Sequence, residues 1–115
     1  MQPLKISSKN KLTGVKIKLA DSLWARSIGL LSTNHLPDNE ALWIPGCNWI
    51  HTCFMSFSID CIFLDAKMKV QGIAENVKPW RFSRMYWKAS SVIEMAAGQA
   101  RANGIELGDI LHVGN

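Results

Sequence analysis

The stretch CNWIHTCFMSFSIDCIFLD, Cys47–Asp65, holds all three cysteines of the chain, one of its three histidines and its densest apolar run. Within it, Ile59–Leu64 combines β-branched and aromatic residues ahead of a turn, which predicts a strand. The part before that strand predicts a loop and then an extended piece near residues 50–55. On an extended chain, alternate side chains such as those of His51 and Cys53 project to one face. The stretch therefore predicts a strand of the fold and contains the residues that are the first candidates for a functional site.

Alternating apolar and polar residues predict further strands on both sides of this stretch. In Val15–Leu19 the apolar residues alternate with lysine, which is typical of a half-buried strand. A short strand before a turn at Thr13-Gly14 is also predicted. The other predicted strands are at 41–44, 70–74, 92–96 and 110–113. A short amphipathic helix is predicted at 22–31 and one helical turn at 99–103, with Gly104 as its C-cap.

About seven short strands and two helical pieces predict a mainly β fold, either a compact antiparallel β sandwich or a partly closed barrel. Asp65-Ala66-Lys67 predicts a hairpin turn between two of these strands. The alternative is an α+β fold in which the first helix crosses one face of the sheet. Because 115 residues suffice for one core, we expect a single domain over residues 1–115 with its core at about 15–113.

The composition is that of a soluble globular protein, with 48% apolar and 19% charged residues. A net charge of +4 favours contact with anions but does not by itself imply nucleic acid. The sequence has no apolar run of the roughly 18 residues that a membrane helix needs, and no signal peptide is visible. We therefore expect a cytoplasmic protein with reduced thiols and no membrane partner. The oligomeric state is left open.

The spacing Cys47-x3-His51-x-Cys53, followed by Met55 and Cys61, collects residue types that bind zinc and copper. The spacing does not match a structural zinc site, which needs closely paired cysteines twice over. Buried thiols that behave as small hydrophobic side chains are the favoured interpretation. The sequence therefore predicts no metal and no cofactor, and a zinc or copper site stays an alternative.

A cysteine–histidine enzyme is a second alternative. Cys47 and His51 supply the nucleophile and the base, and Asp60 supplies a third group that could orient the base. Asp60 also stands within an apolar strand, where an unpaired buried carboxylate is costly. Its candidate partners are Arg26, Arg81 and His51. Glu94 raises the same question within the apolar run SVIEMAAG.

The segment Lys78–Lys88, KPWRFSRMYWK, interleaves four basic residues with four aromatic ones and contains no acid. Single-stranded nucleic acid binds to such surfaces, because bases stack on rings while cations follow phosphates. Aromatic residues at this spacing more often fix a loop to the core while the basic groups stay solvated. A nucleic-acid partner is therefore not expected, and a peptide or a small anion suits the segment at least as well.

Motifs spread along the chain resemble a known family. In order, they are Arg26-x-x-Gly29-Leu30-Leu31, Leu42-Trp43-Ile44 with Cys47, Ile50-His51-Thr52 with Met55, Ile59-Asp60 with Phe63-Leu64-Asp65, Pro79-x-Arg81, Glu94-x3-Gly98 and Gly108-Asp109. Over about residues 15–113 this series resembles the small bacterial and archaeal proteins called "domain of unknown function 192". The resemblance implies a single mainly β domain with a short helix, and it carries no established activity. Ser58 and Met68 stand where the family tends to have proline and a glycine turn.

The positions that match the family pattern define the candidate pocket. They are Arg26, Cys47, His51, Thr52, Met55, Asp60, Arg81 and Glu94. We expect a domain that binds a small molecule or a peptide segment of a partner near His51 and Asp60. In this hypothesis Asp60 orients the His51 imidazole, Arg26 or Arg81 attracts an anionic group, and Trp43 or Trp49 forms an apolar wall. The alternatives are an enzyme or metalloprotein at Cys47 and His51, and nucleic-acid binding through residues 78–88.

Overall fold

Seven strands form one sheet within residues 1–20, 36–53 and 55–114, the parts of the chain that the computed structural model describes. They are β1 (Gln2–Ile6), β2 (Lys11–Leu19), β3 (Glu40–Pro45), β4 (Ile59–Leu64), β5 (Val70–Val77), β6 (Ser91–Ala96) and β7 (Leu111–Val113). A 3₁₀ turn, η1 (Ser7–Lys9), follows β1, and a four-residue helix, α1 (Gln99–Ala102), follows β6. The helix predicted at 22–31 lies outside the described residues. None of the described helices is long and apolar enough to span a membrane.

The strand order is β5-β4-β6-β3-β2-β1-β7, and neighbouring strands are antiparallel except for the parallel pair β2 and β3. The two outermost strands approach each other where Lys69 and Ile110 form an isolated bridge. Beside it, the amide of Leu111 donates to the carbonyl of Met68 at 2.9 Å. These contacts curl the single sheet into a half-barrel. The mainly β prediction is confirmed in its partly closed barrel form, whereas a sandwich would need a second sheet.

The strands agree with the predicted positions at the centre of the sheet and depart from them near the N-terminus. The predicted turn at Thr13-Gly14 is wrong, because β2 runs through both residues. The chain reverses earlier, at η1 and Asn10, whose φ of 49° is a left-handed conformation that asparagine tolerates. The extended piece expected near residues 50–55 is confined to one isolated bridge at His51.

The hairpin between β4 and β5 is confirmed. Its turn is held by Asp65, whose Oδ1 accepts the amides of Lys67 at 2.8 Å and of Lys69 at 3.0 Å. Met68 adopts a φ of 64° in this turn. Glycine reaches that conformation without the steric cost that a side chain brings, which gives a physical reason for the family's tendency to have a glycine turn here.

Both faces of the sheet carry apolar clusters. The inner core takes residues from all seven strands, and its fully buried members include Leu4, Ile6, Val15, Ile62, Leu64, Ile93 and Met95. The outer cluster lies on the central strands, under the loops after β3 and before β6, and includes Leu42, Ile44, Ile50, Met55, Cys61, Phe63, Ala89 and Val92. Because both faces are covered, β4 and β6 are buried along their whole length. This explains why their sequences are nearly continuous apolar runs.

The ring of Tyr86 lies against the outer face of β5 and β4. It stacks on Phe63 with 4.1 Å between ring centroids and an interplanar angle of 22°. A Cβ atom added to Gly72 would stand 2.0 Å from Cε1 of Tyr86, so only glycine leaves room for the ring. The guanidinium of Arg84 lies 4.8 Å from the centre of the same ring. Tyr86 therefore fixes the segment 78–88 to the sheet.

Replacing Gly72 by alanine should destabilise the fold, because the methyl group would push the Tyr86 ring off the sheet. We expect a loss of about 1–3 kcal/mol in the free energy of unfolding, measured by denaturant titration. Gly14→Ala is the matched control, since a Cβ there meets nothing within 4 Å. In a double-mutant cycle with Tyr86→Ala, the two losses should fail to add. Additive losses would contradict the contact.

A charged network joins η1 to the turn before β7. The Nζ of Lys9 contacts Glu106 and lies 3.1 Å from Oδ2 of the buried Asp109. Burial alone would raise the pKa of Asp109, but the amide of Glu106, the Lys9 ammonium and the Ser8 hydroxyl together lower that pKa below its ordinary value. The hydrogen bonds to Glu106 and then Asp109 raise the pKa of Lys9.

The lowered pKa of Asp109 sets the direction of its pH dependence. Its contribution to stability should be complete above the unfolded-state pKa of about 3.9 and should vanish as the pH falls through the lower folded-state value. The difference in unfolding free energy between wild type and Asp109→Asn should therefore shrink in acid. Urea titrations between neutral pH and the acid limit would measure it, with the exposed Asp38→Asn as the charge control. A difference that is constant over this range would contradict the network's role.

Candidate functional site

Two loop segments, residues 48–53 and 80–86, run antiparallel on the outside of the sheet and are here called the aromatic ribbon. The bonds that pair them, each 2.9 Å long, run from the amides of Thr52, Ser83 and Tyr86 to the carbonyls of Arg81, Ile50 and Asn48. His51 and Phe82 stand directly opposite each other at an isolated bridge. Local sequence did not predict this pairing, because residues 76–91 have no regular period. The recurrence of Trp49-x-His51 and Trp80-x-Phe82 was the available signal.

Thr52 holds the ribbon together from inside. Its side chain is fully buried, and Oγ1 donates to the carbonyl of Lys78 at 2.5 Å. The same oxygen accepts the amide of Arg81 at 2.9 Å. Since a hydroxyl has one proton to donate, these contacts use Thr52 for structure. The predicted pocket residue Thr52 is therefore a clamp between the two segments.

Three rings form a cluster on the exposed side of the ribbon. Trp49 and Phe82 are stacked, with 6.3 Å between centroids and an interplanar angle of 24°. His51 is tilted against both, at 6.1 Å from Trp49 and 6.0 Å from Phe82. The Nδ1 atom of His51 accepts the amide of Cys53 at 3.3 Å, so the neutral ring carries its proton on Nε2. The imidazole is therefore oriented by its own loop and its aromatic neighbours.

Basic residues accompany these rings. Lys78, Arg81, Arg84 and Lys88 are all exposed. The segment Lys78–Lys88 contributes these four cations and no acid.

Asp60 lies on the other side of the sheet. It pairs with the inner-core residue Met95, and its carboxylate is fully buried. Oδ1 accepts the amide of Asn76 at 2.8 Å, and Oδ2 accepts the amides of Gly98 and Ala100 at 3.0 Å each. Asp60 was predicted to orient the His51 imidazole, but its carboxylate binds these three amides instead. The strand's alternation explains the separation, because only odd-numbered residues of β4 face the loops that carry His51.

Cys47, Met55 and Glu94 share the outer face with Cys61. Glu94 is 5% exposed and stands between Leu42 on β3 and Cys61 on β4. Burial raises the pKa of the Cys61 thiol well above its ordinary value, and the negative charge of Glu94 adds to this. A thiol in that state is protonated at neutral pH and a poor nucleophile.

Cys47 and Met55 hold the loop over this face. The Sγ atom of Cys47 donates to the carbonyl of Trp49 at 2.8 Å, and Met55 is buried in the outer cluster. Across the described ranges, no three histidine, cysteine or acidic side chains are grouped as metal ligands.

The predicted pocket therefore separates into parts. His51 and the exposed Arg81 lie on the ribbon, Cys47, Met55 and Glu94 lie on the outer face, and Asp60 lies beneath the sheet. Trp43, expected as a pocket wall, packs on the inner core, whereas Trp49 is in the exposed cluster. Arg26 is outside the described residues.

Comparison with known proteins agrees with the predicted resemblance. The model of the DUF192 family, described as uncharacterized ACR, matches residues 4–113. The chain belongs to the DUF192 family. The UPF0127 protein of Thermococcus sibiricus is 31% identical to this DUF192 protein over 106 residues, which are 89% of this chain and 68% of that protein. The UPF0127 protein of Pyrococcus horikoshii is 32% identical over 107 residues, which are 89% of this chain and 90% of that one.

Two solved structures share the fold of this DUF192 protein. A protein of unknown function from Novosphingobium aromaticivorans has a TM-score of 0.81 and 22% identity, covering 96% of this chain and 83% of that one. A Sinorhizobium meliloti protein, whose name suggests a transcription regulator, has a TM-score of 0.79 and 20% identity, covering 97% and 91%. At these identities the likeness concerns the fold alone.

Replacing Asp60 by asparagine should destabilise this DUF192 protein strongly, because an amide group cannot accept hydrogen bonds on both of its sides. We expect a loss of about 3 kcal/mol, the scale of a buried hydrogen bond to a charged group. Hydrogen exchange at the amides of Asn76, Gly98 and Ala100 should accelerate. Asp38→Asn, at an exposed position, controls for the charge. Unchanged exchange at those three amides would contradict the assignment.

Proposed function

We propose that this DUF192 protein is a binding module that holds a negatively charged partner on the aromatic ribbon and the basic residues beside it. The observation that carries the proposal is that exposed aromatic rings and four exposed basic side chains with no acid among them lie in the same segment. The hypothesis of a ligand near His51 is kept, and the site moves from Asp60 to the exposed rings. The contacts of Asp60 are with backbone amides and belong to the fold.

The exposed rings support a binding surface because large apolar side chains are ordinarily buried. Trp87 is 81% exposed, Phe82 68% and Trp80 57%. In the described part of the chain, the exposed tryptophans and phenylalanine are Trp49, Trp80, Phe82 and Trp87, and the exposed Met85 lies in the same segment as the last three. Trp49 and Phe82 are in ring contact with each other and with His51, and exposed apolar patches mark interaction sites on soluble proteins.

The charge of the surface supports an anionic partner. The four basic side chains of Lys78–Lys88 are exposed and have no acid among them in sequence. A local surplus of positive charge raises the concentration of anions nearby and speeds their association. Arginine also binds carboxylates and phosphates through paired hydrogen bonds. Apolar contact and charge would thus act together.

The ribbon is preorganised for binding. Thr52 clamps its two segments, and Tyr86 fixes the second segment on Gly72 and Phe63. The two segments therefore lose little conformational freedom when a partner binds, which lowers the entropic cost of association.

The alternative of a cysteine–histidine enzyme has less support. The Cys47 thiol donates to the carbonyl of Trp49, while Nδ1 of His51 accepts the amide of Cys53. A nucleophile–base pair needs a hydrogen bond between the thiol and a ring nitrogen of the histidine. The protonated, buried Cys61 does not offer a second nucleophile.

A thermal-shift screen of charged aromatic compounds tests the proposal. A ligand at 100 times its Kd should raise the melting temperature by on the order of 10 °C. Anionic hits should lose this effect in Trp49→Ala/Phe82→Ala and keep it in Leu107→Ala, an exposed apolar control of the same 68% exposure as Phe82. Anionic hits that stabilise the ring variant as well as wild type would refute the site.

A further inference from the structure

We infer that the partner is an acidic peptide segment of another protein, bound in an extended conformation along the aromatic ribbon. This inference rests on the proposed function and names the chemistry of its ligand. It depends on three features of the surface, which are the arrangement of the rings, their spacing and the charge beside them.

The arrangement of Trp49, His51 and Phe82 favours apolar side chains over nucleic-acid bases at this cluster. Trp49 and Phe82 are stacked on one another, and His51 is tilted against both. Their faces are thus turned partly toward each other, and together they form one apolar patch. A base needs the open face of a ring to stack on. Leucine, isoleucine or phenylalanine side chains need only a well-packed apolar surface, as at protein interfaces.

The spacing of the rings favours an extended peptide. Alternate side chains of an extended chain project to the same side, about 6.6 Å apart. The three ring centroids are separated by 6.0 to 6.3 Å. The three rings therefore form a compact triangle, and two apolar side chains at positions i and i+2 would meet two of its rings. The residues between them would point away from the rings.

The charge determines what accompanies those apolar residues. Lys78, Arg81, Arg84 and Lys88 are exposed along one of the two ribbon segments and beside it. Arg84 is held over the Tyr86 ring, which limits the conformations of its guanidinium before a partner arrives. Arginine binds a carboxylate with two parallel hydrogen bonds. Aspartate or glutamate next to the apolar positions would complement this surface.

Selection from two random pools tests the inference. The full chain is immobilised and exposed, at the same salt concentration, to displayed random peptides of about twelve residues and to random single-stranded DNA. An extended peptide of that length spans about 40 Å. We expect the peptide pool to converge on alternating apolar residues with aspartate or glutamate beside them, and the DNA pool to show no enrichment. The best peptide is then synthesised and its affinity measured by fluorescence anisotropy.

Matched variants locate the binding. Lys78→Glu/Arg81→Glu should weaken the peptide about tenfold or more, as should Trp49→Ala/Phe82→Ala. Lys16→Glu/Lys18→Glu changes the net charge equally on the exposed face of β2 and should leave the affinity within about twofold, as should Leu107→Ala. Thermal melts confirm that each variant is folded before its affinity is compared. Binding should also weaken as salt is added, because the ionic contacts are exposed.

The other outcomes separate the two proposals. Enrichment of DNA with sensitivity to both ribbon variants would overturn the peptide inference and leave the proposed function standing. Peptides that are enriched without acidic residues or without alternation would overturn the inference in the same way. If neither pool is enriched, the peptide inference fails and the thermal-shift screen decides the proposed function. If the enriched molecules bind both ribbon variants as well as wild type, the proposed function fails with the inference.

Discussion

The fold depends on one buried carboxylate. Asp60 accepts three backbone amides, one from the end of β5 and two from the start of α1. Backbone amides buried without partners would cost free energy comparable to lost hydrogen bonds, so the carboxylate completes the hydrogen bonding of two elements at once. It also sets which residues of β4 face inward. Once Asp60 points into the inner side, Cys61 and Phe63 must face outward, and the outer cluster is built on them.

The sheet therefore supports two different tasks. Its inner face closes a core shared by all seven strands, and its outer face supports the loops that form the aromatic ribbon. Phe63 connects the two, because it belongs to the buried strand β4 and also carries the Tyr86 ring. The surface chemistry of the ribbon is thus attached directly to the most buried part of the molecule. Cys47, Met55 and Cys61, which suggest metal chemistry in sequence, fill the space between.

Local sequence was sufficient to predict the positions of the central strands. It was insufficient to predict which segments pair with one another. The dense apolar runs at Ile59–Leu64 and at residues 92–96 predict strands, because each run ends at a turn. The parallel pairing of β2 and β3 has no local signature, since it depends on contacts between distant residues. The sequence marks Asp60 as an unusual buried carboxylate. Its partners could not be predicted from residue types, because they are backbone amides, which every residue except proline carries. The ring cluster was missed for a similar reason, because it forms only when two irregular loops pair.

The four cations beside the exposed rings have a consequence for the protein's own copies. Exposed rings such as Trp87 and Phe82 would favour association of two molecules through their apolar surfaces. Each such encounter would bring four cations against four more, and like charges repel at close range. The lysines and arginines therefore oppose self-association of the face whose rings they surround. An acidic partner is attracted by the same four charges. These charges therefore favour acidic molecules over a second copy of the protein as the partner that covers the rings.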